Sequence, residues 1–169
     1  MSERRQLDPE RLGDHLDRLY RAARALCGTR EAAEDLVQDT YARVLARPRF
    51  LRGEDDLGYL LRALRNTYVS HRRAADRRPK TGGSPEELEL VEGRRSAQPE
   101  EEAEARLVYA AISSLADDFR YALVAVDVVG LSYDEAAKAL RVPSGTLTSR
   151  VFRARQQVAR ALAPERAER

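Results

Sequence analysis

A chain of 169 residues is long enough for one ordinary domain or two small ones, and its formal net charge of +2 is too small to indicate a partner. Apolar residues make up 43% and aromatic residues 6%, with no tryptophan, which favours helical packing over a β-sandwich. The single cysteine, Cys27, excludes an internal disulfide, and with only two histidines a zinc site is not expected.

Three amphipathic helices with short connections are predicted in residues 8–78, which indicates a small helical bundle. Leucine, valine and alanine recur at helical spacing in each helix. Residues 47–54 are expected to form a short basic loop between the second and third helices. The helix ends are marked by capping or breaking residues: Asp8-Pro9 and Gly28 for the first, Thr29 and Pro48 for the second, and Asp55 or Asp56 for the third.

Residues 79–98 combine Pro, Gly, Ser and many charges, which is typical of a flexible linker. A fourth helix is predicted from Pro99, and a fifth from Leu115 to Val129. No segment alternates over the length of a strand, so the expected fold is all-α: two small helical domains, 8–78 and 99–163, joined by an acidic linker. The side chains of the fourth helix expected to face inward are Ala103, Leu107, Ala110 and Ala111.

The last two predicted helices form a helix-turn-helix unit. Ser132 and Glu135 form a capping box for the shorter helix, and Ser144 is expected to cap the longer one. At about 100° per residue, one face of the longer helix is an apolar stripe. That stripe consists of Leu147, Val151, Ala154, Val158 and Leu162, and the side chains opposite it are Ser149, Phe152, Arg153, Gln156 and Arg160, with Thr148 at the edge.

The side chains opposite the stripe are of the types that read DNA. Arginine pairs with guanine edges or phosphates, serine and threonine reach either, and phenylalanine contacts a thymine methyl group. Ser144, Gly145 and Thr146 place backbone N–H groups where a phosphate can bind. The alternative is a solvated basic helix, but no acidic residue occurs from Ala136 to Pro164, whereas ordinary solvated faces mix both signs.

The stretch GLSYDEAAKALRVPSGTLTSRVFRAR closely resembles the promoter-reading C-terminal domain of bacterial sigma factors of the extracytoplasmic-function group. The resemblance implies that this domain reads the minus-thirty-five promoter element. It places Ser149, Phe152 and Arg153 at base-contacting positions and Arg150 in support of them. Thr148 departs from the family, which usually has Lys or Arg there. The residues expected at this DNA surface are Ser144, Thr146, Thr148, Ser149, Arg150, Phe152 and Arg153.

The stretch AAEDLVQDTYARVL in the second helix is open to two interpretations. With the apolar residues inward, Asp35, Gln38 and Asp39 face outward, and composition alone favours a solvated acidic stripe. The motif resembles the family's second conserved region, which docks on the clamp helices of the β′ subunit of RNA polymerase. The resemblance implies that role for Glu34, Asp35, Gln38 and Asp39.

The outer face of the third helix is basic and includes the side-chain amide of Asn66. Such a face can bind the backbone of single-stranded nucleic acid and contact an unpaired base. By resemblance, this helix and the preceding loop, about Arg47 to Gly58, melt the minus-ten element. Tyr59 stands where the family often has tryptophan, and Arg72 is one of several arginines near the helix end that suit phosphate contact. The residues expected at this surface are Tyr59, Arg62, Asn66, Ser70 and Arg73.

The function expected from these features is that of an alternative sigma factor that binds core RNA polymerase and promoter DNA. An autonomous helix-turn-helix regulator and a pure protein-interaction module are the alternatives. No nucleophile paired with a base, metal cluster or phosphate loop is evident in the sequence, so neither an enzyme nor a cofactor is expected.

Regulation and location are also expectations at this point. The resemblance implies control by an anti-sigma factor, and the chain ends soon after the last helix, so we expect no C-terminal regulatory domain. No apolar run reaches the length of a membrane span, and residues 1–10 lack an apolar signal core. We therefore expect a cytoplasmic protein without membrane insertion.

Overall fold

The computed structural model describes residues 4–47, 50–52, 55–78 and 99–163, and these residues are helical apart from one short β-ribbon and the connecting turns. The expected all-α architecture of two helical domains is confirmed. The expected linker, residues 79–98, lies outside the described residues. Within the described ranges, no helix has the length and apolar character needed to cross a membrane.

The first helical segment is a 3-10 helix, Pro9–His15, that leads directly into α1, Leu16–Cys27. The expected cap is confirmed, because the Asp8 carboxylate accepts a hydrogen bond from the Glu10 amide at 3.0 Å. The first turns are 3-10 rather than α, in a segment that includes Gly13, a residue of low helix propensity. Gly28 ends α1 with a φ of 81°, in the left-handed region that glycine adopts without strain.

Helices α2, Arg30–Ala46, and α3, Asp56–Arg77, complete the bundle. Thr29 and Asp55 cap them, because their side-chain oxygens accept hydrogen bonds from the backbone amides of Ala32 and Leu57. The predicted apolar stripes are confirmed, since both stripes point into the core. The buried residues are Ala33, Leu36, Val37, Thr40 and Val44 in α2, and Leu57, Leu60, Leu61, Leu64 and Tyr68 in α3.

The expected basic loop between α2 and α3 contains a strand that sequence analysis missed. Strand β1, Arg4–Gln6, pairs antiparallel with β2, Phe50–Arg52, so that Arg5 is opposite Leu51. Leu51 is buried. Three-residue strands are too short to show an alternating pattern, and their pairing depends on residues far apart in the sequence.

The C-terminal domain contains α4, Pro99–Ser113, α5, Asp117–Leu123, α6, Tyr133–Leu140, and α7, Ser144–Leu162. The predicted fifth helix begins two residues later than expected and widens into a π-helical turn, Val124–Val128. Gly130 follows this turn with a φ of 84°. The capping box of α6 is confirmed, with hydrogen bonds of 2.8 and 3.2 Å between Ser132 and Glu135.

Two predictions for this domain are wrong in detail. The N-cap of α7 is Pro143, and Ser144 is its first residue, with its hydroxyl donating to the Asp134 carboxylate at 3.4 Å. In α4, the expected inward residue Leu107 is 63% exposed. Ala103 and Ala110 are exposed too, and of the expected stripe only Ala111 is buried.

The face that α4 buries is set by contact between the two domains. Helix α1 packs against α4 and the π-helical turn, and α3 packs against α6. The buried side chains of both domains form one continuous apolar cluster. On α4, Tyr109 lies under the Arg24 guanidinium, 5.2 Å from its ring centre, and Glu102 pairs with Arg30 at 3.9 Å. An apolar stripe predicted for α4 in an isolated C-terminal domain therefore differs from the face of α4 that the N-terminal domain covers.

Candidate nucleic-acid interface

Helix α7 presents the predicted row of polar and aromatic side chains to solvent. Of the predicted apolar stripe, Leu147, Val151 and Ala154 are fully buried and hold the helix on the C-terminal domain, and Val158 is half-buried. Leu162, expected in the same stripe, is 40% exposed at the end of the helix. Phe152 is 62% exposed, although large apolar side chains such as phenylalanine are normally buried. Thr148, Ser149, Arg153, Gln156 and Arg160 are exposed as well.

Two ion pairs that sequence analysis missed hold α7 against the segment formed by α5 and the π-helical turn. The Arg150 guanidinium donates to Asp118 at 2.9 Å, and Arg155 forms a bidentate pair with Asp127 at 2.9 and 2.7 Å. The hydrogen bonds to Asp127 raise the pKa of Arg155 above its usual value. Arg150 is thus held in place beside the exposed row. The acids precede their arginine partners by 32 and 28 residues in the sequence, and no local spacing indicates the pairs.

The beginning of α7 is organised by hydroxyl groups. The Thr148 hydroxyl donates to the Ser144 carbonyl at 2.9 Å, and Thr146 is half-buried. Ser144 and Gly145 are exposed. These contacts orient the hydroxyls and leave the N-terminal end of the helix accessible.

The predicted docking face of α2 divides into two parts. Glu34, Asp35 and Gln38 are exposed. Asp39 is different, since its carboxylate lies 2.7 Å from His71 Nε2 of α3 and 3.2 Å from the Arg43 guanidinium. The hydrogen bond from His71 lowers the pKa of Asp39. Asp39 thus also joins α2 to α3.

A groove of about 420 Å³ runs beside the exposed part of this face, between α1 and α2. Leu16, Tyr20, Val37 and Tyr41 supply its apolar lining. Leu16 is 47% exposed. Glu34 and Gln38 also line the groove, so a partner helix seated here would meet apolar and polar groups together.

The predicted row on α3 is partly covered. Asn66, Ser70 and Arg73 are exposed, whereas Tyr59 and Arg62 are half-buried. The Ser70 hydroxyl donates to the Asn66 carbonyl at 3.0 Å. Of the preceding loop, residues 48, 49, 53 and 54 lie outside the described residues.

Within the part of the chain that the structure describes, no group of three or more His, Cys, Asp or Glu side chains is placed to hold a metal ion. The fold and the exposed row on α7 define a helix-turn-helix protein built from two helical domains. Each domain matches a known family. Residues 12–78 match the family described as Sigma-70 region 2, and residues 105–158 match Sigma-70, region 4.

Related proteins match across both domains. The ECF RNA polymerase sigma factor SigE of Mycolicibacterium smegmatis is 34% identical over 162 residues, which cover 94% of this chain and 63% of the relative. The RNA polymerase sigma-H factor of Pseudomonas aeruginosa is 31% identical over 144 residues, which cover 79% of this chain and 75% of the relative. The chain therefore spans less than two thirds of the length of the SigE relative.

A solved structure has the same fold. The sigma factor RpoE from Bartonella quintana, in complex with the anti-sigma factor NepR, matches with a TM-score of 0.73 and 28% identity, over 93% of this chain and 97% of RpoE. The chain belongs to the extracytoplasmic-function group of the sigma-70 family of RNA polymerase sigma factors.

Cys27, at the end of α1, is half-buried, and burial raises the pKa of its thiol from 9.0 to about 11. We predict that this thiol reacts with iodoacetamide at pH 8 about a hundredfold more slowly than a free cysteine, because the thiolate fraction is smaller by that factor. The rate should rise as the pH approaches the raised pKa. The same chain unfolded in urea is the control, and equal rates in the folded and unfolded chains would contradict the prediction.

Proposed function

We propose that this protein is an alternative sigma factor that binds core RNA polymerase and directs it to a set of promoters. The observation that carries the proposal is the exposed row on α7, formed by side chains that the core does not need, in a chain of the sigma-70 family. The protein acts in the cytoplasm, where polymerase acts, and it supplies recognition while polymerase supplies catalysis.

In the proposed division of labour, residues 8–78 dock on polymerase and open the minus-ten element, and residues 99–163 read the minus-thirty-five element. Asp35 and Gln38 are exposed on α2, where a carboxylate and an amide can meet basic groups on the β′ clamp helices. Glu34 and Asp39 extend this face. The internal pairing of Asp39 with His71 supports a smaller direct contribution from its carboxylate.

DNA contact is assigned to two helices. On α3, Tyr59, Arg62, Asn66, Ser70 and Arg73 would face the melted minus-ten strand, with arginines on the backbone and the amide near a base. On α7, Ser149, Phe152 and Arg153 would contact bases of the minus-thirty-five element. Arg150, held by Asp118, would support them. Ser144, Thr146 and Thr148 would lie beside the phosphates at the helix start.

We also propose an anti-sigma factor as the regulator. The RpoE relative was solved in complex with the anti-sigma factor NepR, and this chain has the same fold over 93% of its length. One partner that contacts both domains could hold them together and cover both functional faces. The alternative function, an autonomous helix-turn-helix regulator, assigns no use to the exposed acidic and amide face of α2.

Run-off transcription with purified chain and core polymerase on genomic fragments tests the function directly. We expect promoter-specific transcripts from the two proteins alone and suppression when a cognate anti-sigma factor is added. Core polymerase without the chain is the control. If the chain binds DNA but polymerase gains no promoter specificity, the autonomous regulator is the correct function.

The docking assignment is tested by the double substitution Asp35→Ala with Gln38→Ala. We expect weaker polymerase binding in a pull-down, with folding stability changed by no more than about 0.5 kcal/mol, because both side chains are exposed. Asp14→Ala is the matched control, since it removes an exposed acid from another element of the same domain. Normal holoenzyme assembly by the double variant would show that the docking face lies elsewhere.

The base-contact assignment is tested by Arg153→Ala. Loss of a base contact should cost about 1–3 kcal/mol at the minus-thirty-five element and relax sequence preference there. Arg160→Ala is the comparison, because it lies further along α7 and should weaken binding to all sequences equally through phosphate. Binding to a panel of single-base promoter variants measures both effects, and an unchanged profile for Arg153→Ala would refute the assignment.

A further inference from the structure

Helix α7 is held on the C-terminal domain by contacts of two kinds. Its buried stripe is apolar, and apolar contacts are non-directional, so they oppose separation of the helix more than rotation about its own axis. Its two ion pairs are directional. Arg150 donates to Asp118 at 2.9 Å. Arg155 binds Asp127 through two hydrogen bonds of 2.9 and 2.7 Å, a fork geometry that fixes orientation as well as distance. The ion pairs are therefore the contacts best placed to fix the rotation of α7.

The two arginines lie on opposite sides of the buried stripe. With Leu147 at zero and about 100° per residue, Arg150 lies at about −60° and Arg155 at about +80°. An ion pair on each side of the stripe opposes rotation of the helix in either direction. The exposed row occupies the other half of the helix, from Thr148 at about 100° to Arg153 at about 240°. Any rotation of α7 therefore moves the whole exposed row.

A small rotation of α7 is enough to change base recognition. The side-chain tips of an α-helix lie about 5–6 Å from its axis, so a rotation of about 20° moves them by about 2 Å. A hydrogen bond to a base edge does not survive that displacement, because N–H···O distances lie within about 2.7–3.2 Å. Contacts to phosphate carry no sequence information directly, so a change of phosphate partner leaves sequence preference unaffected. Loss of the ion pairs should thus reduce sequence preference more than total affinity for DNA.

The π-helical turn brings both acids to the same helix. In an uninterrupted α-helix, the spacing from Asp118 to Asp127 corresponds to about 900°, so their side chains would point in opposite directions. The Val129 amide donates to the Val124 carbonyl at 2.9 Å, which is the i to i+5 bond of a π-turn. A π-turn contains one residue more than an α-turn and turns the residues after it back by up to about 100°. Both acids can therefore face α7.

We propose that Asp118 and Asp127 are positioning residues for promoter recognition: through Arg150 and Arg155 they set the rotation of α7 and therefore its sequence preference. This inference rests on the proposed function, because it deepens the assignment of base contacts to α7. The two acids act on recognition without touching DNA. The pair of Asp127 with Arg155 gives the cleaner test, since no DNA contact is assigned to either residue.

Three variants of the full chain test the proposal. Asp127→Ala breaks the pair and frees the Arg155 guanidinium, whereas Arg155→Ala breaks the same pair and removes the cation. The exchange variant, Asp127→Arg with Arg155→Asp, restores an ion pair in the reverse order. Each chain is assembled with core polymerase, and binding is measured on a panel of promoters with single-base changes in the minus-thirty-five or the minus-ten element. Glu104→Ala is the matched control, because it removes an exposed acid of α4 in the same domain.

We expect both alanine variants to lose about tenfold of the discrimination between preferred and substituted minus-thirty-five bases, which is the size of one good base contact. Discrimination at the minus-ten element should be unchanged, because α3 is assigned to it. The two variants should differ in salt dependence. The freed arginine of Asp127→Ala can bind a phosphate and steepen the slope of log affinity against log salt by about 0.9, whereas Arg155→Ala cannot. The exchange variant should recover most of the discrimination, and Asp118→Ala should change it in the same direction as Asp127→Ala.

An unchanged minus-thirty-five profile for Asp127→Ala would overturn the proposal. An equal loss at both promoter elements would overturn it too, because that result indicates general destabilisation. Failure of the proposed function is a separate outcome: if polymerase gains no specificity from the wild-type chain, the variants are compared on duplexes that the full chain alone selects from a random library. A loss of preference in Asp127→Ala on those duplexes supports positioning in an autonomous regulator, and a wild-type chain that selects no DNA overturns both inferences.

Discussion

The relation between the two domains depends on the buried guanidinium of Arg120. A buried charge is tolerated only where acceptors surround it, and two of its acceptors belong to the other domain. The neighbouring acids of α5 extend the arrangement, since Asp117 also holds Arg72 of α3 while Asp118 holds Arg150 of α7. One short helix thus connects both helices to which DNA contact is assigned.

Local sequence patterns predicted the parts of the fold that depend on local physics. The stripes of α2, α3 and α7 follow from helical periodicity, and the caps at Asp8, Thr29 and Ser132 follow from hydrogen bonds within a few residues. The exposed row on α7 was predictable for the same reason. Once the apolar stripe is assigned to the core, the side chains on the opposite face of the helix are expected to face solvent. The roles of these residues stay predictions.

Features that depend on distant residues were not predictable. The β-ribbon joins strands more than forty residues apart, and Asp39 pairs with His71 across 32 positions. Leu107 is exposed because α4 packs against α1 with a different face, and α1 belongs to the other domain. Treating the two domains as independent predicts the apolar stripes of helices inside each bundle. It gives the wrong stripe for α4, which packs between the two domains.

Helix α3 faces α5 of the C-terminal domain with one side and carries the proposed DNA surface on the other. At about 100° per residue, Arg65 and Arg72 lie within about 60° of Tyr68, on the face toward α5. Asn66, Ser70 and Arg73 lie about 140–160° away, on the opposite side. These three side chains, like Arg153 on α7, are therefore exposed while the two domains are in contact. The contact between the domains therefore leaves most of each proposed DNA surface uncovered.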